Sequence, residues 1–228
     1  MENNVVEKRS GQMPLIGERA PEFVANTTHG RITFPDDYKG KWVILFSHPA
    51  DFTPVCTTEF MTFASMYDEF QDLNTELIGL SIDSLHSHLA WTKSIESYEW
   101  NGHKDLSIKF PIIDDISMDV AHKYGMIHSG SATSTIRAVF IIDPEGVMRA
   151  LLYYPSSMGR NFDEIKRMIV GLQKNDSDGV ALPANWKPGD DVILPPPATS
   201  EGIDNRIDEA KGDGHHMLDW YLTFKEDK

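Results

Sequence analysis

Apolar positions along the chain follow two different periods. "KWVILFS", residues 41–47, is a continuous apolar run rich in β-branched side chains, the pattern of a buried strand. "ELIGLSID" (76–83) predicts a second strand, and "IKFPIIDD" (108–115) a third, weakened as a central strand by Pro111. In "IRAVFIIDPEGVMRALLYYP" two apolar runs flank Asp143-Pro144-Glu145-Gly146, whose turn chemistry predicts a hairpin. Between these runs the period lengthens. Phe60, Phe63, Ala64, Tyr67 and Phe70 recur at three- and four-residue steps and predict a helix after residue 56. Residues 85–98, 117–124 and 162–172 predict three more, the last with Phe162, Ile165, Ile169 and Leu172 on one face. Strands alternating with helices and closing on a hairpin predict an α/β fold, with a mixed sheet flanked by helices.

The pattern changes near residue 175. "NDSDGVALPANWKPGDDVILPPPATSEG" is punctuated by Pro183, Pro188, Pro195, Pro196 and Pro197 and predicts an extended arm. The closing "HHMLDWYLTFKEDK" is aromatic again, and Trp220, Tyr221 and Phe224 need a surface on their own domain or on a partner subunit. The expected organisation is a main domain over 13–175 and a C-terminal arm or small domain over 176–228.

Charge and composition then limit the partners. Acidic residues outnumber basic ones 35 to 21, and the net charge of −14 argues against a phosphate-binding surface for nucleic acid. The N-terminal "MENNVVEKRSGQ" is polar, and no apolar run approaches the ~20 residues of a membrane span. A single cysteine excludes an internal disulfide and suits a reducing compartment. The expectation is a soluble, cytoplasmic protein with no nucleic-acid or membrane partner. There is no Gly-rich phosphate loop and no G-x-S-x-G, and no cofactor is expected.

The chemistry centres on Cys56, in "HPADFTPVCTTEF" directly after the first predicted strand. Thr53-Pro54 is a helix-start signal, which places Cys56 in the first turn, where unpaired N–H groups and the helix dipole favour an anion. Thr53-x-x-Cys56 has the spacing of a C-x-x-C motif with threonine in place of one sulfur, so no disulfide closes there, but a hydroxyl lies within reach of the thiolate. On residue type alone the alternatives stay open. A lone cysteine is commonly a buried small hydrophobe, Arg137 an edge-strand charge, His48 a satisfied structural residue and Glu59 a solvated first-turn carboxylate. "HSH" (86–88) and His215-His216 lack the spaced partners of a closed metal site, so no metal is expected. Met126, Met158 and Met168 are read as core filler.

Pro49-x-x-x-Thr53-x-x-Cys56 resembles the active-site signature of peroxiredoxins, and "SHP" before it with "PVCTTE" after it resembles the one-cysteine, peroxiredoxin-six-like subfamily in its archaeal form. "IRAVFIIDPEG" and "YYPSSMGRNFDEI" are similar to the same group, so the resemblance runs from about Met13 to Trp220. It implies a thioredoxin-like fold and a thiol-dependent peroxidase that reduces hydrogen peroxide and organic hydroperoxides through a sulfenic acid on Cys56. Residue by residue, it implies that Thr53 hydrogen-bonds peroxide and sulfur, and that Pro49 shields the thiolate. Arg137 stabilises thiolate and departing oxygen, Glu59 and Arg160 support Arg137, and His48 takes a catalytic supporting role. Archaeal members often carry two further cysteines around the aromatic tail, where this chain has Met217 and Thr223. The implied reductant is therefore an external thiol or a thioredoxin-like protein, and the implied assembly is a homodimer, with decameric rings known in the group. Two other classes compete: an oligomeric holdase with Cys56 as a sensor, which would keep aggregation suppression in Cys56→Ser, and a Cys-His hydrolase, for which no third orienting partner is evident.

Overall fold

The computed structural model describes residues 13–127, 133–212 and 214–227; most of the polar N-terminal stretch lies outside them. Two compact units divide the chain, one ending at Phe162 and the other beginning at Asp163.

The first unit is built on a seven-stranded mixed sheet in the order β2-β1-β5-β4-β3-β6-β7. Its strands are β1 (Phe23–Thr27), β2 (Gly30–Phe34), β3 (Trp42–Ser47), β4 (Thr75–Ser81), β5 (Ile112–Asp114), β6 (Arg137–Ile142) and β7 (Met148–Tyr154). β3, β4 and β5 are mutually parallel, while β6 returns antiparallel to β3 and pairs with β7 across the Asp143–Gly146 turn. β3 and β6 are buried at every position, which is why their sequences read as unbroken apolar runs. The helices are α1 (Pro54–Ser65), α2 (Tyr67–Asp72), α3 (Leu85–Ile95) and α4 (Asp119–Lys123). The single helix expected after Cys56 is two, divided at Met66, with Phe60, Phe63 and Phe70 buried. Gly79 of β4 matters for this packing, because a side-chain carbon there would lie 3.3 Å from the Phe60 ring. A bare backbone at Gly79 lets α1 settle onto the sheet below Cys56.

Two strands were not expected. β1 and β2 form a hairpin in which buried and exposed positions mix over only five residues each. Their burial comes from one face only, so no continuous apolar run marks them. β5 is three residues long, and Pro111 stands just before it, offering its carbonyl to the Gly79 N–H at 2.9 Å.

In the second unit α5 (Phe162–Asp178) is longer than the sequence pattern predicts. The segment expected to be an extended arm carries a short strand, β8 (Val192–Ile193), and then a helix, α6 (Ser200–Glu209). Thr199 starts α6 by accepting from the Gly202 N–H at 3.0 Å. β9 (His215–Asp219) and β10 (Leu222–Lys225) complete a small sheet in the order β8-β10-β9. Met217 and Thr223 are register partners in it. Trp186 is buried, with its indole N–H donating to the Asp190 carbonyl at 3.0 Å, whereas Tyr221 remains exposed and packs edge-on against Trp220.

Candidate active site

The end of β3 delivers the site. After Ser47 the chain turns through His48, Pro49, Ala50 and Asp51, and Phe52 takes the left-handed backbone conformation (φ 55°) that non-glycine residues seldom adopt. Thr53 is extended (φ −104°, ψ 147°) and Pro54 opens α1. The first backbone bond of the helix runs from Thr57 N–H to Thr53 carbonyl at 2.9 Å. Cys56 thus sits in the first turn, where backbone N–H groups have no helical acceptor. Thr53 does not cap those amides with its side chain, contrary to expectation; its hydroxyl donates to the Ala50 carbonyl at 2.8 Å. That bond consumes the hydroxyl proton and leaves the Thr53 oxygen with its lone pairs. Pro49 is half-buried beside His48.

Cys56 is fully buried, and the Arg137 guanidinium reaches it. Arg137 Nη1 donates to Cys56 Sγ at 3.2 Å and to Glu59 Oε2 at 2.7 Å. The far side of the same guanidinium is pinned, Nε and Nη2 both donating to the Ser156 carbonyl, at 3.2 and 3.0 Å. Arg137 stands on β6, an internal strand, and is 2% exposed, so it is no edge-strand charge. Glu59 is 1% exposed, which removes the solvated reading of that carboxylate. Arg160 closes the group: its Nε and its backbone N–H both donate to Glu59 Oε1, and its Nη2 donates to Oε2 at 2.6 Å. Its Nη1 ties the site to the sheet through the carbonyls of Ser47 and Ala138. Two buried guanidinium charges therefore face one carboxylate.

Cys56 at a helix start, the buried Arg137 against it and Thr53 three residues before it thus come together at one place. Residues 16–151 match the AhpC/TSA family, and residues 171–209 match the C-terminal domain of 1-Cys peroxiredoxin. The chain belongs to the peroxiredoxin family. A peroxiredoxin of Methanosarcina mazei is 62% identical over 217 residues, covering 94% of this chain and 99% of that one. A peroxiredoxin of Archaeoglobus fulgidus is 50% identical, covering 93% of this chain and 99% of the relative. Among solved structures, a yeast mitochondrial 1-Cys peroxiredoxin superposes with a TM-score of 0.80 at 39% identity, covering 94% of this chain and all of that one. The Cys-to-Ser form of Arenicola marina peroxiredoxin 6 superposes with a TM-score of 0.82 at 32% identity, covering 94% and 98%. Like those structures, this peroxiredoxin has a thioredoxin-like fold, and it is a thiol peroxidase with a peroxide substrate and a thiol reductant. Among its described residues no helix is long and apolar enough to cross a membrane.

His48 joins a second cluster. Its Nε2 lies 2.8 Å from Asp51 Oδ1, and His88 Nδ1 lies 2.8 Å from Asp51 Oδ2, with all three side chains buried. Their ligand-type atoms gather within 4.8 Å of one another. His88, in an "HSH" whose sequence shows no spaced partners, has two in the fold, Asp51 and His48. Asp51 and His88 escaped the sequence reading because 37 residues and the α3 packing separate them. Burial pushes the His48 imidazole below its ordinary range, outweighing the Asp51 hydrogen bond that raises it; the positive charges of His88 and Arg160 act in the same direction as burial. For Asp51, burial acts to raise the carboxyl, but the His48 and His88 hydrogen bonds outweigh it and hold the group below the usual carboxylate range. The His48 ring packs edge-on against Phe60, one helical turn past Cys56, at 4.8 Å, and beside Trp91 of α3 at 5.1 Å.

The methionines divide. Met126 is buried in the core and Met168 is half-buried, but Met158 is 53% exposed in the loop between β7 and α5, so it is not core filler.

Proposed function

We propose that Cys56 is the peroxidatic nucleophile, and the Arg137 contact bridging Cys56 Sγ and Glu59 Oε2 carries this reading. The thiolate attacks one oxygen of a hydroperoxide. A sulfur–oxygen bond forms as the O–O bond breaks, sulfur is oxidised to the sulfenic acid, and the departing oxygen leaves as hydroxide or alkoxide and takes a proton. Negative charge grows on that oxygen, so a preorganised guanidinium stabilises the transition state more than the ground state. Arg137 is already immobilised by the Ser156 carbonyl and by Glu59, so little reorganisation accompanies the reaction. Thr53, its proton committed to Ala50, acts as acceptor for the O–H of the attacked oxygen. Pro49 excludes water, and Glu59 and Arg160 hold Arg137 in place.

With one cysteine in the chain, the sulfenic acid has no internal thiol to condense with. An external thiol displaces water from it to give a mixed disulfide, and a second thiol releases Cys56. The yeast relative's thiol resolving mechanism runs through glutathione and thioredoxin systems; the same chemical class of reductant fits here, in a reducing, cytoplasmic setting. A homodimer using the second unit fits its exposed apolar residues, Leu218 at 66% and Tyr221 at 54%.

Stopped-flow measurement of hydrogen peroxide reduction, with and without glutathione or thioredoxin, tests the reading. Cys56→Ser is expected to abolish turnover; unchanged turnover in that variant ends the proposal.

A further inference from the structure

His88 has two ring nitrogens, and both face groups that only accept. Nε2 lies 3.1 Å from the Ile113 backbone carbonyl, and Nδ1 lies 2.8 Å from Asp51 Oδ2. A carbonyl oxygen cannot donate, so Nε2 carries a hydrogen. The 2.8 Å contact at Nδ1 then needs a proton of its own, shared between an imidazole and a carboxylate. The two histidine hydrogen bonds hold Asp51 below the usual carboxylate range, so the carboxylate is ionised and that proton sits on the ring. The other carboxylate oxygen, Asp51 Oδ1, faces His48 Nε2 at 2.8 Å and accepts a hydrogen there. What remains is His48 Nδ1, buried and without a hydrogen-bond partner among the described residues. A second proton on His48 would leave a net positive charge in a group with no exposed atoms to solvate it.

We propose that His88 is a buried imidazolium and a positioning residue: with Asp51 it fixes His48 as the Nε2–H tautomer and leaves His48 Nδ1 as a bare acceptor beside the α1 helix that carries Cys56. The cluster is neutral as a whole, with His88 positive, Asp51 negative and His48 uncharged. Its four inward-facing atoms, His48 Nε2, both Asp51 carboxylate oxygens and His88 Nδ1, are spent on one another at 2.8 Å, and each of the two contacts holds a hydrogen, so the group is a proton-holding cluster and not a set of open metal ligands. The arrangement is anchored from three sides. His88 is on α3, the Ile113 carbonyl is on β5, and the Asp51 backbone N–H donates to Asp83 Oδ2 at 3.0 Å. Trp91, one turn beyond His88, lies against the His48 ring and donates its indole N–H to Thr57 Oγ1 of α1 at 3.2 Å, so α3 holds both the histidine and the cysteine helix.

Nitrogen-15 NMR of the reduced full chain, labelled at histidine and recorded at pH 7, tests it. His88 is expected to show directly bonded hydrogens on both ring nitrogens, and His48 on Nε2 alone, with the downfield shift of an unprotonated nitrogen at Nδ1. A His88 ring with one protonated nitrogen, or a His48 proton on Nδ1, overturns the proposal from the wild-type spectrum alone. In Asp51→Asn, loss of the doubly protonated His88 signature and a mixture of His48 tautomers are expected. A folded Asp51→Asn chain with both rings unchanged overturns the positioning role. Because the readout is protonation and not turnover, its failure is distinguishable from failure of the peroxidase reading.

Discussion

Glu59 and Arg160 are joined three times, through the Arg160 backbone N–H at 2.9 Å, its Nε at 3.0 Å and its Nη2 at 2.6 Å. Arg160 thereby fixes the carboxylate, and the carboxylate fixes Arg137. Removing Glu59 leaves two buried guanidinium groups without the carboxylate they share. Glu59→Ala is therefore expected to cost roughly 3–5 kcal/mol of stability, read as a lower urea midpoint, and to slow peroxide reduction as well. A variant with unchanged midpoint and rate would show that the network is dispensable.

Arg137 acts at closer range. Arg137→Met is expected to slow the reaction of Cys56 with hydrogen peroxide by roughly a hundredfold or more, the usual effect of losing a transition-state donor. Arg137→Lys should recover little, because one ammonium cannot serve Sγ, Glu59 and the Ser156 carbonyl in the plane that the guanidinium spans. Single-turnover stopped-flow fluorescence measures both.

The Thr53 hydroxyl gives its proton to the Ala50 carbonyl, so the role proposed for it is that of an acceptor. Thr53→Ser is expected to stay within about threefold of wild type, since it keeps the oxygen and the bond to Ala50. Thr53→Val should lose roughly a hundredfold in the peroxide step. Equal rates for Ser and Val would separate Thr53 from the chemistry.

Excess peroxide without a reductant is expected to carry Cys56 past the sulfenic acid to the sulfinic acid. Intact-mass analysis during stepwise peroxide addition should show the gain of two oxygens and no intrachain disulfide. A stable disulfide-linked dimer through Cys56 would instead point to a resolving thiol on a second chain.

Acid should destabilise the fold in two stages. His48 is depressed in the folded protein, so the unfolded chain binds its proton first, and stability falls as pH drops below the ordinary imidazole value of about 6.5. Asp51 is depressed as well; its contribution is complete above the ordinary carboxylate range and is lost as pH falls through about 4 and below. Urea midpoints measured from pH 8 to pH 3 should show both limbs, and Asp51→Asn should remove much of the lower one. A midpoint flat down to pH 5 would contradict the depressed imidazole.

Much of this protein was legible from its residues. Unbroken apolar runs marked β3, β4 and β6 because strands buried on both faces need no polar alternation, and Thr53-Pro54 marked the start of α1 because proline suits a first helical position. Cys56 could be singled out by its place at a helix start, whereas Arg137, Glu59 and Arg160 were pointed to only by the resemblance to peroxiredoxins. What the chain order could not give was the meeting of residues far apart in it. Arg137 lies 81 positions from Cys56, and Arg160 lies 101 from Glu59. The hairpin β1–β2, half exposed, and α6, within a proline-rich stretch, left no strong period to read.

The sequence by itself determined the chemistry available: one sulfur, placed where a helix begins, with no second thiol to pair with it. Only the tertiary structure decided how charge is balanced around that sulfur and which tautomer His48 holds. Both depend on desolvation and on hydrogen-bond distances of about 3 Å, set when separate strands and helices pack together and invisible in any local stretch of the chain.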